Sequence, residues 1–410
     1  MSAERGGPLE GRAVVLGVTG SIASYKAAEI ASRLRQAGAS VDVAMTPSAT
    51  EFITPLTFRS LTGREPYVGM FAPGGEPGEA HVELARRADV MLIAPATAST
   101  LARLAHGLAD DFVSLTALAT RAPLLVAPAM DAQMWEHPAT SANVETLRAR
   151  GVEVVGPLSG RLASGRSGAG RLVEPDALVG AVRARLGREG GDLAGRLVVV
   201  TAGGAREPLD PVRYLSNRSS GKMGYALAEV ARDRGADVVL VTTVGAQVAP
   251  PYGIRAVEVE SAAEMLEAVS RHAEGADALL MAAAVSDFRP RTRAEGKMKR
   301  SDRGEGPPAV ELALNTDIAA AVEGARVKVS FAAETLALDS EALRVEALRK
   351  LRSKGARLVV ANDVTAPGSG FGSPTNRVSI LDEQGDVEPL PLLPKYDCAA
   401  RILDRVAALL

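Results

Sequence analysis

The sequence predicts an α/β protein with two domains, each built on a doubly wound parallel sheet. Three observations support this prediction. Short apolar runs rich in β-branched residues alternate with amphipathic stretches along the whole chain. The alternation starts again after a glycine-rich, charged segment, GREGGDLAG at 187–195. The chain of 410 residues is long for one hydrophobic core and suits two domains of about 200 residues each.

The first half contains five predicted strands and a clear amphipathic helix. Residues 24–38 form the helix, with Ala27, Ile30, Ala31 and Leu34 on one face and Gly38 at the end. The predicted strands are AVVLGV (13–18), VDVAM (41–45), DVMLIAP (89–95), PLLVAP (123–128) and VEVV (152–155).

The second half repeats this architecture without a residue-level repeat. Nearly continuous apolar strands separated by helices imply Rossmann-like parallel sheets covered on both faces. We place the boundary near residue 190, with 187–195 as a linker, which gives domains 1–190 and 191–410. The predicted strands are RLVVVTAGG (196–204), ADVVLVT (236–242), DALLMAAAV (277–285), VKVSFAA (327–333) and RLVVAND (357–363).

Composition indicates an ordinary soluble globular protein, with 47% hydrophobic and 23% charged residues. The net charge of -2 argues against nucleic acid as a bulk electrostatic partner. The single cysteine, Cys398, excludes an intramolecular disulfide and fits a reducing cytosol. The start of the chain, MSAERGGPLEGR, lacks the apolar core of a signal peptide, and no apolar run has the length of a membrane span. We therefore expect a cytoplasmic protein with no membrane partner.

The most informative segment is REPLDPVRYLSNRSSGKMG at 206–224, between an apolar strand and an apolar helix. It is dense in hydrogen-bond donors, and Gly221 and Gly224 permit close approach of backbone or ligand. Backbone N–H groups that open a helix attract anions. The alternative interpretation is a polar strand-to-helix loop with an ordinary cap.

The longer segment TAGGAREPLDPVRYLSNRSSGKMG (201–224) resembles the signature of CTP-dependent phosphopantothenate–cysteine ligases. These commonly form the C-terminal half of bifunctional coenzyme A biosynthesis proteins, whose N-terminal half is a flavin-dependent phosphopantothenoylcysteine decarboxylase. The resemblance implies an N-terminal flavodomain, a C-terminal CTP-binding domain, and conversion of 4′-phosphopantothenate, L-cysteine and CTP to 4′-phosphopantetheine. It further implies a homo-oligomer, with flavodomain trimers that hold FMN at subunit interfaces and ligase dimers, together giving a dodecamer.

Four segments of the first half resemble the family's FMN site. GVTGSIASYK (17–26) follows a strand and opens a helix, so its amides suit a phosphate. MTPSATEFITP (45–55), APATAST (94–100) and APAMDAQMW (127–135) resemble the rest of the site. The expected FMN contacts are Gly20, Ser21, Thr46, Thr97 and Ser99. Ser99 stands where the family usually has an asparagine.

The resemblance implies three catalytic residues in this half. AHVELA (80–85) matches the segment of a catalytic histidine, here His81, although a lone histidine that begins a helix is more often a surface or capping group. Asp131 stands where the family has an asparagine for the substrate carboxylate, so an ionised Asp131 would repel that group. Ser164, in the flap GRLASGRSGAGRL (160–172), replaces a proton-donating cysteine and is a far weaker acid. The flavin is implied because oxidation of the thiol creates the electron sink that decarboxylation needs.

The second half carries the residues that the resemblance assigns to CTP and to the acyl-cytidylate intermediate. The basic segment 289–303 would ordinarily be a solvated loop, but its KMKR (297–300) resembles the catalytic loop, with Lys299 as catalytic lysine. Asn217 matches the residue that holds the intermediate. Mg²⁺ is implied as well, without assigned ligands. The expected CTP contacts are Met281, Ala282, Ala283, Asp287, Lys299, Asn315, Thr316, Asp317, Ile318, Phe331, Lys350 and Lys354.

Two alternatives remain at this point. One is an active ligase beside a flavodomain that stops at the enethiol. The other, from a different class, is a first half that binds flavin as an interaction module without turnover.

Overall fold

The computed structural model describes residues 7–69, 79–245, 247–298, 309–334, 341–363, 367–370 and 372–410. The chain divides into two compact units, Met1–Leu186 and Gly187–Leu410. Each contains its own large, doubly wound sheet, so the predicted α/β class is confirmed. Within these ranges, every helix is too short or too polar to cross a membrane.

The N-terminal unit is built on a five-stranded sheet in the order β2-β1-β3-β4-β5, with every neighbouring pair parallel. Strand β3 is buried along its whole length, as expected for a strand covered on both faces. All five predicted strands are confirmed. Their bounds are β1 (Ala13–Val18), β2 (Ser40–Met45), β3 (Val90–Ala96), β4 (Leu124–Pro128) and β5 (Glu153–Val154).

Helices connect these strands, after a short 3-10 turn at Ile22–Ser24. The predicted apolar face of the first helix is confirmed, since Ala27, Ile30, Ala31 and Leu34 are all buried. The helices are α1 (Tyr25–Gln36), α2 (Pro47–Thr50), α3 (Pro55–Thr62), α4 (Ala80–Arg87), α5 (Ala98–His106), α6 (Phe112–Ala119), α7 (Ala132–Trp135), α8 (Pro138–Ala149) and α9 (Pro175–Gly190).

The flap predicted at 160–172 is a hairpin rather than an irregular loop. Strands β6 (Leu158–Arg161) and β7 (Ser167–Arg171) pair antiparallel, and Ser164 lies in the turn between them. The hairpin packs tightly on the segment before α7. A Cβ on Gly170 would lie 2.2 Å from the carbonyl oxygen of Met130, and Met130 donates its N–H to Gly170 O at 3.0 Å. Glycine is therefore needed at position 170 for this contact.

The C-terminal unit has an eight-stranded sheet in the order β12-β11-β8-β13-β16-β17-β19-β20. Its large-sheet strands are β8 (Leu197–Ala202), β11 (Asp237–Thr242), β12 (Arg255–Glu258), β13 (Ala278–Met281), β16 (Val327–Glu334), β17 (Leu358–Asp363), β19 (Val378–Asp382) and β20 (Val387–Pro389). The short strands are β9 (Arg206–Pro208), β10 (Tyr214–Ser216), β14 (Phe288–Pro290), β15 (Leu312–Leu314), β18 (Thr375–Asn376) and β21 (Leu393–Pro394).

The five predicted strands of the second sheet are parallel, but the sheet has an antiparallel edge that we did not predict. The six strands from one edge are parallel, in the order β12, β11, β8, β13, β16 and β17. At the other edge, β19 pairs antiparallel with β17, and β20 pairs antiparallel with β19. The physical reason is the connection: β19 and β20 are joined by a tight turn in which Gly385 has a φ of 84°, and a tight turn joins only antiparallel strands.

Helices cover both faces of this sheet. Val198 and Val200 face a core that includes residues of α10 and α14, whereas Val199 faces a core that includes residues of α11 and α12. This alternation explains why β8 reads as a continuous apolar run. The helices are α10 (Lys222–Asp233), α11 (Ala262–Ala273), α12 (Ile318–Ala321), α13 (Glu341–Lys354) and α14 (Lys395–Ala407).

The glycine-rich segment 187–195 is not a free linker. Its first four residues complete α9, and Leu193 is fully buried. A Cβ on Gly191 would lie 2.0 Å from the carbonyl oxygen of Arg234, so this glycine permits close packing against the end of α10. Glycine clusters mark linkers and close backbone contacts alike, and here the packing explains the glycines.

The segment 206–224 also contains regular structure that we did not predict. Strands β9 and β10 form an antiparallel hairpin between β8 and α10. Gly221 precedes α10 with a φ of 77°, a conformation that favours glycine. The segment is therefore a hairpin followed by a helix start, not a plain strand-to-helix loop.

Candidate active sites

The predicted FMN residues lie at the carboxyl ends of three neighbouring strands of the N-terminal sheet. Gly20 and Ser21 follow β1, Thr46 follows β2 and Thr97 follows β3. Thr19 ties two of these ends together, because its Oγ1 donates to Pro95 O at 2.7 Å and accepts from the N–H of Thr97 at 3.1 Å. The strand-end rule for open α/β sheets thus brings these four residues to one edge.

Hydroxyl groups and a glycine form a small cradle at this edge. A Cβ on Gly20 would lie 2.6 Å from the side chain of Ser48, so only glycine leaves the space open. The Oγ1 of Thr46 lies 3.2 Å from the Oγ of Ser48. Ser21 caps the 3-10 turn, with its Oγ accepting from Ala23 N–H at 3.3 Å. A cradle of backbone N–H and hydroxyl groups suits a phosphate.

Ser99 lies within α5, one turn from the strand end. Its Oγ accepts a 2.5 Å hydrogen bond from Nη1 of Arg103, whose Nε lies 2.6 Å from Asp110 Oδ1. Ser99 is therefore already hydrogen-bonded within its own helix.

Ser21 also borders a second feature, which we call the flap cavity. This cavity of about 430 Å³ lies between the 3-10 turn, the segment 129–131 and the β6–β7 hairpin. Asp131 and Ser164 both line it, and so do the cationic residues Lys26, Arg161 and Arg171. The structure thus brings one predicted FMN residue together with two predicted catalytic residues.

Asp131 and Ser164 are directly hydrogen-bonded. Ser164 Oγ donates to Asp131 Oδ2 at 2.6 Å, and Asp131 Oδ1 accepts from the N–H of Gln133 at 3.1 Å, capping α7. The bond from Ser164, followed by that from Gln133, lowers the pKa of the Asp131 carboxyl. Asp131 is accordingly an ionised acceptor, and its charge is directed at a hydroxyl group.

His81 does not lie with these two residues in the structure of the single chain. It is the second residue of α4, half-buried, with its ring edge-on to Phe112 at a centroid distance of 6.5 Å. The described residues that line the flap cavity do not include it.

The C-terminal unit has a larger cavity, of about 520 Å³, which we call the strand-end cavity. It lies at the carboxyl ends of β13, β16 and β17 and next to the start of α10. Every described CTP residue predicted from the sequence lines it, together with Asn217; these are Met281, Ala282, Ala283, Asp287, Asn315, Thr316, Asp317, Ile318, Phe331, Lys350 and Lys354. Lys299 lies outside the described residues.

Hydrogen bonds to the backbone hold the two segments of the cavity wall that carry Asp287, Asn315 and Asp317. Asn315 donates its N–H to Asp287 O and its Nδ2 to Ser286 O, both at 2.8 Å. Asp317 caps α12, with Oδ1 accepting from Ala320 N–H at 3.2 Å. Residues 286–287 and 315–317, distant in sequence, are thereby held side by side.

Among the described residues, four lysines and two aspartates line the strand-end cavity. Lys350 and Lys354 lie one turn apart on α13, and the Nζ of Lys354 is 3.8 Å from Asp317 Oδ2. Lys222 and Lys395 were not predicted. Lys222 donates to Gly372 O at 2.5 Å, and Lys395 donates to Ser373 O and Thr375 O, both at 2.7 Å. With the start of α10 also at the wall, the cavity has the electrostatics of an anion site.

Asn217 and Asp210 anchor the segment that precedes α10. Asn217 donates from Nδ2 to Val285 O at 3.2 Å, at the cavity wall. Burial would raise the pKa of the Asp210 carboxyl, but backbone N–H donors, including those of Val212 and Met298, lower it overall. The bond from Met298 N–H, at 3.1 Å, ties the basic segment to the β9–β10 turn.

Full-length relatives of known name match this chain. A protein of Mycobacterium tuberculosis named coenzyme A biosynthesis bifunctional protein CoaBC is 44% identical, over 97% of this chain and 96% of the relative. The Bacillus subtilis protein of the same name is 41% identical, over 98% of each chain. The chain belongs to the family of coenzyme A biosynthesis bifunctional proteins.

Two protein families match this CoaBC family member, one in each of its two compact units. Residues 2–187 match the family described as flavoprotein, and residues 193–410 match the DNA/pantothenate metabolism flavoprotein C-terminal domain. Among solved structures, the C-terminal domain of a CoaBC protein is 36% identical, covering 53% of this chain and 97% of that one, with a TM-score of 0.43. A PPC decarboxylase mutant complexed with pantothenoylaminoethenethiol is 32% identical, covering 42% and 96%, with a TM-score of 0.38.

Some candidate residues of this CoaBC family member could not be selected from the sequence. Lys222 belongs to the SSGKMG motif, which is the one signal that pointed to it. Lys395 and Ser330 carried no signal. Ser330 is buried at the strand-end cavity, and its hydroxyl has no hydrogen-bond partner in the described part of the chain. An unsatisfied buried hydroxyl requires an explanation, and a bound ligand supplies one.

Proposed function

We propose that the C-terminal unit joins cysteine to 4′-phosphopantothenate with CTP and that the N-terminal unit decarboxylates the product with FMN. The chain is a bifunctional enzyme of coenzyme A biosynthesis, with decarboxylase and ligase activities, and the alternatives of a non-catalytic or enethiol-forming flavodomain are not favoured. The observation that carries the detailed proposal is the convergence of all the described CTP residues on one cationic cavity at strand ends.

In the ligase reaction, the proposed role of the cavity is to bring two anions together. The carboxylate of phosphopantothenate attacks the α-phosphate of CTP, pyrophosphate leaves, and the amine of cysteine then displaces CMP from the acyl-cytidylate. Lys350, Lys354 and the start of α10 supply fixed positive charge for the phosphates. Asn217, held against Val285 O, is placed to contact the acyl-cytidylate. Lys299 is the proposed catalytic lysine on the strength of its KMKR motif.

The proposed Mg²⁺ would enter with the nucleotide. In the described ranges, His, Cys, Asp and Glu side chains form no group of three or more that could hold a metal ion. Asp287 and Asp317 are nevertheless the carboxylates at the cavity wall. Mg²⁺ usually binds through one or two carboxylates plus substrate phosphates and water, so these residues fit a CTP-bound ion.

In the decarboxylase reaction, bound FMN would supply the redox chemistry that makes loss of CO₂ possible. The Gly20 cradle, with Ser21, Thr46 and Thr97 nearby, fits its phosphate. Ser21 also lines the flap cavity, as do Asp131 and Ser164, which supports a role for these residues close to the proposed flavin. We propose that Asp131 and Ser164 act as a pair, in which the carboxylate orients the hydroxyl, the hydroxyl donates the proton, and water at the exposed turn then restores that proton.

The Asp131–Ser164 pair addresses both departures from the family pattern. A serine hydroxyl is a poor acid, so a fixed orientation by Asp131 and reprotonation by water must compensate for its low acidity. Lys26, Arg161 and Arg171 also line the flap cavity, where Asp131 is the negative residue, although Lys26 and Arg171 are themselves paired with Glu174. A substrate carboxylate therefore meets a mixed, not a purely negative, surface.

His81 fits this proposal only in an assembly. Because it lies away from the flap cavity of its own chain, its catalytic role requires a neighbouring copy to complete the site. This agrees with the implied flavodomain trimers, which together with ligase dimers would give the dodecamer. We also propose a cytoplasmic location, based on the composition and on the free cysteine Cys398, which is buried.

Product analysis of the full chain tests both activities. With phosphopantothenate, cysteine and CTP, we expect pyrophosphate, CMP and phosphopantetheine; with phosphopantothenoylcysteine alone, we expect phosphopantetheine. The purified protein should be yellow and release FMN. A colourless protein that takes up no FMN would contradict the decarboxylase assignment, and absence of CTP-dependent pyrophosphate release would contradict the ligase assignment.

A further inference from the structure

Lys328 is a buried lysine in the middle of the C-terminal sheet. It lies on β16, opposite Leu279 of β13, and only 8% of its surface is exposed. A charged side chain is rarely buried to this degree unless its donors are satisfied. Its Nζ donates to Ala319 O at 2.7 Å and to Lys354 O at 3.0 Å.

Both carbonyl groups lie near the ends of helices. Lys354 is the last residue of α13, and Ala319 is the second residue of the four-residue helix α12. Carbonyls in the last turn of a helix lack an N–H partner within the helix, and a cation there also complements the helix dipole. One ammonium group therefore stabilises two helix ends at once and links them to each other.

These two helices contribute neighbouring parts of the wall of the strand-end cavity. α13 contributes Lys350 and Lys354, and α12 with its cap contributes Asp317, Ile318 and Ala319. The distance of 3.8 Å between Lys354 Nζ and Asp317 Oδ2 depends on the relative position of the two helices. Lys328 does not itself line the cavity, so it would act only through them.

We propose that Lys328 is a positioning residue for nucleotide binding, which holds α12 and α13 in the arrangement that the strand-end cavity needs for CTP. The inference rests on the proposed CTP site. An apolar side chain of the same length would preserve the packing against the sheet but would release both helix ends from each other.

Calorimetric titration of the full chain with CTP tests the inference. Lys328→Met should weaken CTP binding about two- to thirtyfold, the range in which substitutions outside a site modulate it. Lys328→Gln, which keeps donors on a shorter side chain, should give a smaller loss and is the milder variant if Lys328→Met folds poorly. Hydrogen exchange should become faster at the end of α13 in both variants.

A matched control separates positioning from general stability. Arg232 is also a buried cation, 3% exposed, that donates to a backbone carbonyl, Tyr252 O at 2.7 Å, but it does not line the strand-end cavity. Arg232→Met should lower the melting temperature and leave the Kd for CTP unchanged. Wild-type affinity in both Lys328 variants would overturn the inference alone. A wild-type chain that binds no CTP would overturn the proposed CTP site and, with it, the inference.

Discussion

The hydroxyl group of Ser164 donates a 2.6 Å hydrogen bond to the carboxylate of Asp131, although 33 positions separate the two residues in the chain. Each residue on its own departs from the family pattern that the sequence resembles. Together they form a hydrogen-bonded pair, in which the Ser164 hydroxyl donates and the Asp131 carboxylate accepts. The β6–β7 hairpin makes this contact possible, because its glycines let it pack on the segment that carries Asp131.

Removing the hydroxyl should change the titration of Asp131. In Ser164→Ala, we expect the pKa of the Asp131 carboxyl to rise towards its ordinary value, because the largest cause of its lowered pKa is lost. NMR titration of the side-chain carboxyl measures this. Asp110, whose pKa is lowered first by its hydrogen bond to Arg103, is an internal control and should not change.

The same pair has a defined effect on stability at low pH. Because the pKa of Asp131 is lower in the folded protein, its hydrogen bond stabilises the flap at pH values above the ordinary carboxyl range. That contribution is lost as the pH falls through the lowered pKa. An unchanged Asp131 titration in Ser164→Ala would show that the bond does not persist in solution.

Replacing Ser164 with cysteine should preserve or accelerate full reduction of the decarboxylated product. A thiol is a far stronger acid than a hydroxyl group, so it donates a proton more readily. Mass spectrometry of the product checks this, since the enethiol and the saturated thiol differ by two hydrogens. Cys398 does not confuse the result: it is buried, and burial raises the pKa of its thiol to about 12. A wild type that forms only the enethiol would contradict the proposed complete reaction.

Asp131→Asn should tighten binding of phosphopantothenoylcysteine by a few-fold at neutral pH. The substitution removes a negative charge from the flap cavity, where a substrate carboxylate is expected. It also removes the charged acceptor that orients the Ser164 hydroxyl, so turnover should fall while the KM falls. Steady-state kinetics separates the two effects. Weaker binding in Asp131→Asn would show that the carboxylate contacts another group of the substrate.

Ten strands of the two large sheets could be predicted from their apolar runs, whereas β12, β19 and β20 of the C-terminal sheet were not predicted. All ten predicted strands exist, and a short apolar run rich in β-branched residues, such as AVVLGV, is typical of a strand covered on both faces. The hairpins could not be predicted from the same signal. The strands LSGR and SGAGR are short and mostly exposed, and tertiary contact with the segment before α7 stabilises them.

For the candidate sites as well, the features that follow from the order of strands could be predicted, and those that depend on contacts between distant segments could not. The strand-end rule located both cavities, because it depends only on topology. Pairing of Ser164 with Asp131 depends on the hairpin, and the placement of Lys222 and Lys395 depends on contacts with the segment 372–375. In a sequence, buried or cavity-lining lysines cannot be distinguished from ordinary surface lysines.

Lys299→Ala should reduce acyl-cytidylate formation by about a hundredfold or more, the usual effect of losing one charge-stabilising group. Pyrophosphate release from CTP and phosphopantothenate measures this step. Arg291→Ala is a matched control in the same basic segment, because Arg291 is exposed and its Nε lies 3.4 Å from Glu311 in a solvent-exposed pair.

Asn217→Asp provides a second check on the same reaction, because it would place a negative charge beside the intermediate. Normal pyrophosphate release in Lys299→Ala would show that Lys299 is not the catalytic lysine and that another cation of the strand-end cavity has this role.

Gly224→Ala should destabilise the C-terminal unit by about 1–3 kcal/mol, the typical cost of overpacking. A Cβ at this position would lie 2.6 Å from the Cβ of Ala202 and 2.6 Å from the carbonyl oxygen of Thr201. Both atoms belong to β8, which is bonded to neighbouring strands on each side and cannot yield. The first turn of α10 would have to move away from the sheet instead, and the Asn217 segment with it.

The affinity for CTP should therefore fall together with the melting temperature in Gly224→Ala. Calorimetry of the full chain, with and without CTP, measures both quantities. Gly296→Ala is the matched control, since a Cβ on Gly296 would meet nothing within 4 Å. Equal stability of the two alanine variants would mean that α10 does not pack on β8 as closely as described. A loss of stability with unchanged CTP affinity would separate the packing of α10 from the nucleotide site.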